Sequence, residues 1–442
     1  MNKQRLHLKA PDNWVNDPNG FIFYKGYYHL FYQYFPYGPR WGTMHWGHAV
    51  SKDLVNWEHR GLALYPSRKE DRNGCFSGSA VESNGKMYLF YTGVRYEAVD
   101  PSDPHLCLDD QFESSQLVIS SDDGFSFDNE HGKKVIIPPL CNPAEGDRTH
   151  TRDPKIWKGK DGWYLILGST VGREFGEVLI YHSTDLDKWD YVSKTFKGPE
   201  YGWMWECPDY FETENGGLLF ISAMGLLNNG EKEKNQSIWF HAQFDEENRD
   251  LKISDEYCFI DYGMDLYAPQ TTLDEEGRRT MTAWMRMPEV TEDKWIGMFC
   301  SPRIVEIKDG HAFFHLHPNI RKAYSQKVKN VNTDMDEGYM AVFSLEEGES
   351  ADIGGFVIRR KNNRIYTDRT AVFPNTEGAH LYSETPELKY GCRIEAIVEK
   401  HLIEVFINDG EYVISNVVYG LKDYFSAEHM SGDAVFYIPD KM

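Results

Sequence analysis

One repeated pattern constrains the fold of this chain more than any other feature: a turn glycine followed by an aromatic-rich strand. The five copies read GYYHLFYQ, GKMYLFYT, GWYLILGS, GLLFISAM and GRRTMTAW, and they begin at Gly26, Gly85, Gly162, Gly217 and Gly277. Short strands in a repeating unit of this length are typical of a β-propeller, whereas helical repeats would show a 3.6-residue periodicity. The sequence therefore predicts five blades.

The intervals between the five glycines are 59, 77, 55 and 60 residues. The long second interval contains residues 97–116, which interrupt the pattern with acidic residues and prolines. We interpret this segment as a loop inserted into the second unit. A further signature, Ser-x-Asp-x-x-x-aromatic, follows three of the strands at Ser51, Ser121 and Ser183. It predicts a polar turn ahead of the next strand.

A carboxylate opens three of the five units. Asp17 and Asp153 each lie nine residues before the turn glycine of their unit, and Glu206 lies eleven residues before its own. Taken alone, the Asn-Asp-Pro-Asn-Gly sequence around Asp17 is ordinary turn chemistry. If the units are blades, however, their openings are equivalent and lie beside one central channel. The repeat then predicts that the three carboxylates converge on a single pocket.

Beyond residue 318 the five-fold pattern ends and a series of alternating strands follows. Asn408-Asp409-Gly410 between two such strands is a strong hairpin signal. A series of this kind indicates a β-sandwich, whose role is left open between sugar binding and covering a propeller face. We therefore predict an all-β chain, with a five-bladed β-propeller over residues 1–318 followed by a β-sandwich over residues 319–442.

Composition excludes several classes of function. The net charge is −22, and no basic run suits a nucleic-acid backbone. No stretch approaches the ~20 apolar residues of a membrane span, and the N-terminus lacks a secretory apolar segment. Seven cysteines without framework spacing indicate reduced thiols. We therefore expect a cytoplasmic protein without nucleic-acid or membrane partners, while its oligomeric state stays open.

Metal binding is the competing use of clustered carboxylates. None of the three lies in a loop of alternating acidic ligands, as calcium would require. There is no Cys-x-x-Cys pair, and His45 and His48, which could suggest a metal, would face opposite sides of a strand. The sequence therefore predicts neither a metal nor a cofactor.

Converging carboxylates in an aromatic-rich pocket suit the cleavage of a glycosidic bond. That reaction needs an acid for the leaving oxygen and a second carboxylate as nucleophile or base, while a third stabilises the developing positive charge. We expect Arg152 to help keep Asp153 ionised. Glu206, flanked by the apolar-leaning neighbours Trp205 and Cys207, is our choice for the acid.

At these motifs the chain resembles glycoside hydrolase family 32, the invertases, sucrose-6-phosphate hydrolases and fructan hydrolases. The matching segments are residues 14–20 (WVNDPNG), 76–79 (FSGS), 152–154 (RDP) and 205–208 (WECP), with further likeness at 28–36, 46–57, 261–263 and 403–410. The resemblance implies a five-bladed propeller with a β-sandwich. It implies Asp17 as nucleophile, Glu206 as general acid/base and Asp153 as transition-state stabiliser. It also implies that the fructosyl unit is bound by Asn16, Gln33, Trp41, Phe76, Ser77, Arg152 and Trp284.

Two departures from the family pattern are visible. Val15 stands where the family commonly has Met, a change that conserves the apolar character of the position. The 97–116 loop and the compact C-terminal domain are less usual in the family. The resemblance therefore supports the residues on the fructose side of the pocket better than those on the leaving-group side.

The implied activity is retaining hydrolysis of terminal β-D-fructofuranosyl residues from sucrose, sucrose 6-phosphate or short fructo-oligosaccharides. Within the family, an exo-acting inulin or levan hydrolase and a fructosyltransferase stay as alternatives. A five-bladed arabinan-cleaving enzyme shares the acidic triad but would not be expected to combine Asn-Asp-Pro-Asn-Gly with Glu-Cys-Pro. From a different class, a non-catalytic sugar-binding propeller would explain the aromatic residues but not three carboxylates in repeat register.

Overall fold

The computed structural model describes residues 3–228, 231–232, 235–329, 331, 338–374 and 378–440. Their regular secondary structure is nearly all β-strand, as predicted: one α-helix, Pro318–Ala323, and two 3-10 turns, Pro199–Tyr201 and Thr370–Val372, are the helical elements among the described residues. No helix in this part of the chain has the length and apolar character needed to cross a membrane. Contact density divides the chain into two compact units, which are described separately.

The first unit comprises Met1–Phe259, Tyr267–Trp284 and Pro288–Phe299. Most of its strands form four antiparallel meanders in which neighbours in sequence pair with one another. In the first sheet the strands are Lys3–Arg5, Asn13–Tyr24, Tyr27–Phe35, His45–Ser51 and Asn56–Leu64, with Trp295–Ile296 at its edge. The second sheet contains Cys75–Ser83, Lys86–Tyr96, Phe112–Ser121 and Lys134–Ile137.

The third sheet contains Arg152–Lys158, Trp163–Val171, Phe175–Ser183 and Asp190–Phe196. In the fourth are Met204–Thr213, Gly216–Met224, Gln236–Asp245, Asp250–Ile253 and Cys258–Phe259. The strands Leu266–Leu273, Arg279–Met285 and Met298–Phe299 follow. Two short ribbons, Val99–Asp100 with Asp103–Cys107 and Leu227–Asn228 with Glu231–Lys232, complete the set. The first of these ribbons lies in the segment predicted to be an insertion.

Three of the five turn glycines of the repeats share one backbone conformation. Gly26, Gly85 and Gly277 have φ angles of 79°, 79° and 78°, a conformation that glycine adopts at little cost. In the Ser-x-Asp signature, each aspartate carboxylate accepts backbone N–H groups from residues two and three positions later. Such bonds satisfy the turn backbone before the next strand begins.

Aromatic residues of the repeats pack in the core of the first unit beside Leu, Ile and Val side chains. Phe31, Trp46 and Tyr91 are fully buried in one cluster, and Trp57, the aromatic residue of the first Ser-x-Asp signature, is 3% exposed. Trp189, at the equivalent position of the signature, packs edge-on against Phe90 with ring centroids 6.0 Å apart. The high aromatic content is therefore used mainly for packing.

The second unit comprises Ile260–Leu266, Met285–Met287 and Cys300–Met442. A six-stranded sheet has the order Gln326–Val328, Val435–Ile438, Tyr339–Ser344, Arg393–Glu399, Leu402–Ile407 and Tyr412–Val417. A five-stranded sheet has the order Tyr382–Glu384, Arg364–Asp368, Phe356–Lys361, Ser350–Ile353 and Phe425–His429. The strands Arg303–Lys308 and His311–Leu316 form a hairpin.

The predicted hairpin at Asn408-Asp409-Gly410 is confirmed. Leu402–Ile407 pairs with Tyr412–Val417, and Asn408 and Asp409 have φ angles of 49° and 58°. A tight hairpin turn requires such positive angles, and Asn and Asp tolerate them better than most residues. The division at residue 318 was based on the end of the repeat rather than on contact density, and it stays a prediction.

Candidate active site

The predicted catalytic carboxylates lie at irregular openings of three strands of the first unit. Where Asp17 lies, the hydrogen-bond ladder skips from Val15 to Pro18, and near Asp153 it skips from Arg152 to Lys155. Glu206 is the last paired residue before a skip to Asp209. Such bulges turn side chains away from the regular alternation of a strand. Proline favours them because it has no N–H to place in the ladder.

The strand openings can be aligned with one another by the proline that each of four of them contains. Asp17, Asp153, Cys207 and Ala268 each precede a proline, and the last three of them have positive φ angles of 65°, 47° and 51°. Non-glycine residues adopt this conformation only where the surrounding structure holds them. The match also corrects one detail of the sequence analysis: Cys207, rather than Glu206, stands at the position equivalent to Asp17 and Asp153.

Two layers of side chains follow from this register. One layer contains the residues just before the prolines, together with Ser77 of the second sheet. The other contains the residues one position earlier, namely Asn16, Phe76, Arg152, Glu206 and Tyr267. All five of these residues belong to strands and lie in the first unit. Contacts within each layer bring together side chains that are far apart in the chain.

Asp17 is held by four neighbours. The Ser77 hydroxyl donates to its Oδ2 at 2.5 Å, and Gln33 Nε2 donates to the same oxygen at 3.2 Å. Asn16 Nδ2 donates to Oδ1 at 3.2 Å, and Cys207 Sγ lies 3.5 Å from Oδ2. Burial raises the pKa of Asp17, an effect that the bond from Ser77 opposes. The donors therefore stabilise a carboxylate that its surroundings would otherwise protonate.

Asp153 is linked to Asp17 through Cys207. The backbone N–H of Cys207 donates to Asp153 Oδ2 at 3.0 Å, and its thiol lies 3.6 Å from the same oxygen. Burial raises the pKa of Asp153 to about 7, although the Arg152 guanidinium 3.8 Å away favours the charged form. We expected Arg152 to keep Asp153 ionised. Arg152 does favour the ionised form of Asp153, as expected, but desolvation outweighs this ion pair and the pKa rises.

Arg152 makes its closest ion pair with Glu206. Its Nη2 donates to Glu206 Oε1 at 2.7 Å, and the Tyr267 hydroxyl donates to Oε2 at 2.6 Å. The Glu206 side chain is 20% exposed, against 5% for Asp153. The sequence neighbours of Glu206 suggested a poorly solvated carboxylate, but Glu206 is more exposed than Asp153. Trp205 is fully buried elsewhere in the core, because neighbouring strand residues point to opposite faces.

Aromatic side chains lie beside this cluster. Trp14 Nε1 donates to Asn16 Oδ1 at 2.8 Å, and the ring of Trp284 meets that of Trp14 at 5.9 Å. Trp41 and Phe76 form an edge-to-face pair with centroids 5.7 Å apart. Thus Asn16, Gln33, Ser77 and Arg152 contact a catalytic carboxylate directly. Trp41 contacts Phe76. Trp284 contacts Trp14, which in turn bonds Asn16.

Two residues of the cluster received no role from the sequence. Cys207 lies between two carboxylates, and burial raises the pKa of its thiol, which therefore keeps its proton. Tyr267 bonds Glu206 directly. The signal that identifies both is the x-Pro register, in which Cys207 matches Asp17 and Tyr267 matches Glu206.

The described residues contain no group of three or more His, Cys, Asp or Glu side chains that could hold a metal ion. All seven cysteines are free thiols. The three carboxylates can supply proton transfer, nucleophilic attack and charge stabilisation.

Comparison with known proteins places this geometry in a family. The model of the glycosyl hydrolases family 32 N-terminal domain matches residues 7–318, and that of the family 32 C-terminal domain matches residues 330–436. The chain is 32% identical to a sucrose-6-phosphate hydrolase of Bacillus subtilis over 93% of its own length and 88% of the relative's. It is 33% identical to a raffinose invertase of Escherichia coli, with 97% and 92% of the two chains covered.

Among solved structures, the chain resembles the Bombyx mori GH32 beta-fructofuranosidase BmSUC1 with a TM-score of 0.84 and 28% identity. The match covers 98% of this chain and 93% of that one. A D63A mutant of that silkworm enzyme, in complex with sucrose, matches with a TM-score of 0.83. These matches extend over both the strand-opening motifs and the C-terminal sheets. The resemblance noted in the sequence is confirmed, and the chain belongs to glycoside hydrolase family 32.

Proposed function

We propose that this chain is a retaining β-fructofuranosidase that hydrolyses terminal β-D-fructofuranosyl residues of sucrose, sucrose 6-phosphate or short fructo-oligosaccharides. Family membership and the names of the similar enzymes support the reaction class. The observation that carries the proposal is the linkage of Asp17, Asp153 and Glu206 through Cys207 and Arg152.

In the first step Asp17 attacks the anomeric carbon of the fructosyl unit. Nucleophilic attack requires the ionised carboxylate, which the donors Ser77 and Gln33 stabilise despite burial. The bond to the leaving oxygen breaks as a fructosyl ester forms on Asp17. In the second step water attacks the same carbon, and the double displacement retains the configuration.

Glu206 transfers the protons in both steps. It protonates the departing oxygen and then accepts a proton from the attacking water. Arg152 holds Oε1, and the Tyr267 hydroxyl holds Oε2. Because a tyrosine hydroxyl both donates and accepts hydrogen bonds, Tyr267 keeps its contact with either protonation state of Glu206.

Asp153 stabilises the transition state. The fructosyl ring gains positive charge as the bond breaks, and an ionised carboxylate beside it lowers the barrier. Its pKa of about 7 makes ionisation dependent on pH near neutrality. In this proposal the fructosyl unit is surrounded by polar and aromatic side chains, namely Asn16, Gln33, Trp41, Phe76, Ser77, Arg152 and Trp284.

Replacement of Asp17 by Asn tests the catalytic assignment. It preserves the size of the side chain but removes the nucleophile, so we expect kcat on sucrose to fall by about 10⁴-fold or more. Circular dichroism and thermal unfolding check that the variant is folded. Asp187, exposed and paired with Lys134, provides the control Asp187→Asn, which should retain activity. Near-normal kcat in Asp17→Asn would rule out the mechanism.

Product analysis separates the alternatives. Sustained release of single fructose units from inulin or levan would favour the exo-acting polymer hydrolase, and longer products from 1-kestose would favour the fructosyltransferase. Binding of sucrose without turnover by the unmodified protein would favour a non-catalytic sugar-binding propeller.

The same proposal includes the architecture and location. We propose five blades over residues 1–318, supported by the five repeats, and a β-sandwich over residues 319–442, supported by the two C-terminal sheets. The seven free thiols support a cytoplasmic location.

A further inference from the structure

An arginine pair lies at the rim of the first unit, outside the catalytic cluster. Glu113 is the second residue of the strand Phe112–Ser121 and pairs with Arg95 in the antiparallel ladder. Arg95 Nε and Nη2 contact Glu113 Oε1 at 2.6 and 2.5 Å. Arg148 Nη2 donates to the other oxygen, Oε2. One carboxylate thus fixes two guanidinium groups side by side, and the trio carries a net positive charge.

The exposure of the three side chains shows which of them faces solvent. Glu113 is 9% exposed, whereas Arg95 and Arg148 are 28% and 45% exposed. Glu113 therefore lies beneath the two cations. A guanidinium has five N–H donors, and the contacts seen among the described residues use only part of them. The outward donors of both arginines are available to an anion.

The backbone beneath the pair is held in place. Ser114 N–H donates to the Arg148 carbonyl at 3.2 Å, and the Ser114 hydroxyl donates to the Thr149 carbonyl at 2.6 Å. The Thr149 hydroxyl in turn donates to the Phe112 carbonyl at 2.9 Å. These bonds tie the turn that carries Arg148 to the strand that carries Glu113. Binding an anion here would cost little additional ordering, which favours affinity.

A short series of contacts connects the pair to the reacting groups. The Phe112 ring lies 5.7 Å from that of His150, whose Nδ1 is 3.3 Å from Arg152 Nη1. Arg152 Nη2 contacts Glu206 at 2.7 Å. Phe112 and His150 are close in sequence to Glu113 and Arg148. Because Glu206 protonates the departing oxygen, this side of the cluster is the leaving-group side if the proposed function holds.

Nearby carboxylates do not cancel this charge through direct contact with the pair. Asp110 lies 3.5 Å from Arg173, and Asp147 Oδ1 accepts the backbone N–H groups of Thr149 and His150 at 2.9 and 2.7 Å. In a chain of net charge −22, a fixed pair of cations with outward donors is an unusual local environment. Arginine pairs of this geometry suit phosphate, whose oxygens accept two parallel N–H bonds.

We propose that Arg95 and Arg148, held by Glu113, bind the phosphate of a phosphorylated leaving group, so that sucrose 6-phosphate is preferred over sucrose. The inference rests on the proposed function and specifies its substrate. The glucosyl phosphate of that substrate carries close to two negative charges at neutral pH, which a site built for sucrose alone would not need to bind.

Kinetics on the two substrates test the proposal. We expect unmodified enzyme to have the higher kcat/KM on sucrose 6-phosphate. In Arg148→Gln, and separately in Arg95→Gln, the ratio of kcat/KM for sucrose 6-phosphate to that for sucrose should fall about 10- to 100-fold, as expected for the loss of hydrogen bonds to a charged group. Arg148→Lys keeps the charge without the planar fork and should give an intermediate ratio.

Arg249→Gln is the matched control. Arg249 is 37% exposed and pairs with Asp161 at 2.6 Å, in the turn at the far end of the strand that begins with Arg152. Its substitution removes one paired surface cation and should change the ratio by less than about twofold. An equal fall in this control would indicate a general charge effect and overturn the assignment.

Inhibition of the unmodified enzyme needs no variant. Glucose 6-phosphate should inhibit sucrose hydrolysis more strongly than glucose. Equal inhibition, or no preference for sucrose 6-phosphate, would overturn the proposal while leaving the hydrolase function intact. If neither substrate is hydrolysed, the proposed function fails. Calorimetric titration with glucose 6-phosphate then tests phosphate binding by the arginine pair separately. Binding to the unmodified protein that is lost in Arg148→Gln supports the proposed phosphate site, whereas no binding to the unmodified protein overturns it.

Discussion

At the scale of single residues, the contact between Tyr267 and Glu206 has the most direct consequence for the reaction. The hydroxyl donates to Oε2 at 2.6 Å, while Arg152 occupies Oε1. Two donors on opposite oxygens fix the plane of the carboxyl group. Proton transfer depends strongly on such orientation, because the acid must lie in line with the departing oxygen. Tyr267 is therefore a positioning residue.

Tyr267→Phe should lower kcat about 10- to 100-fold and change KM little, because the hydroxyl contacts the acid rather than the sugar. Steady-state kinetics on sucrose measure the division between kcat and KM. Tyr164→Phe is the control: its hydroxyl bonds Asp161 at 2.8 Å, away from the catalytic cluster, and its loss should leave kcat unchanged. An unchanged kcat in Tyr267→Phe would show that Arg152 alone orients Glu206.

At the scale of elements, the strand openings are tied together by a third layer just after the prolines. Asn19 Oδ1 accepts the Gly78 N–H at 3.0 Å, and Gln270 Nε2 donates to the Gly78 carbonyl at 2.8 Å. Gln270 also accepts the Phe21 N–H at 2.7 Å. Side-chain amides thus replace the ladder bonds that the bulges interrupt, and Gly78 lies where three openings meet.

Gly78→Ala should destabilise the protein by about 3 kcal/mol or more and reduce activity. A Cβ at this position would lie 1.9 Å from the Phe90 carbonyl oxygen, which is backbone and cannot rotate away. Gly85→Ala is the comparison: no atom lies within 4 Å of its Cβ, but its φ of 79° costs about 1 kcal/mol for a residue other than glycine. Urea unfolding gives both values. Equal losses would mean that the backbone around Gly78 shifts to accept the methyl group at little cost.

The elements also show what the sequence could and could not predict. The turn glycines, the Ser-x-Asp turns and the hairpin at Asn408 follow from local backbone chemistry, so their positions were predictable. The membership of the carboxylate cluster followed from the repeat. The ion pair between Arg152 and Glu206 could not be predicted from the repeat, because the two residues are 54 positions apart and lie on different sheets. The place of Cys207 was predictable, because aligning the openings on their prolines puts Cys207 at the position of Asp17 and Asp153.

At the scale of the whole molecule, the buried carboxylates make stability depend on pH. Burial raises the pKa of Asp153 to about 7, above the value of about 4 that an aspartate has in an unfolded chain. The folded state therefore holds this proton more tightly than the unfolded state between these values. It follows that the contribution of Asp153 to the free energy of unfolding falls as the pH rises from 4 to 7, and stays low above that.

Asp153→Asn removes this dependence because the amide cannot ionise. The variant should gain stability over the unmodified protein as the pH rises, by up to about 4 kcal/mol at pH 8, and the gain should vanish near pH 4. Activity is lost at the same time, since the stabilising charge is gone. Asp123→Asn is the control. Burial raises the pKa of Asp123, but the hydrogen bonds from Phe125 and Ser126 lower it by more, so its folded-state pKa lies below the ordinary aspartate value. The stability difference between this variant and the unmodified protein should therefore be constant from pH 5 to 8. Urea unfolding at each pH measures the two curves, and a flat curve for Asp153→Asn would mean that Asp153 stays ionised throughout.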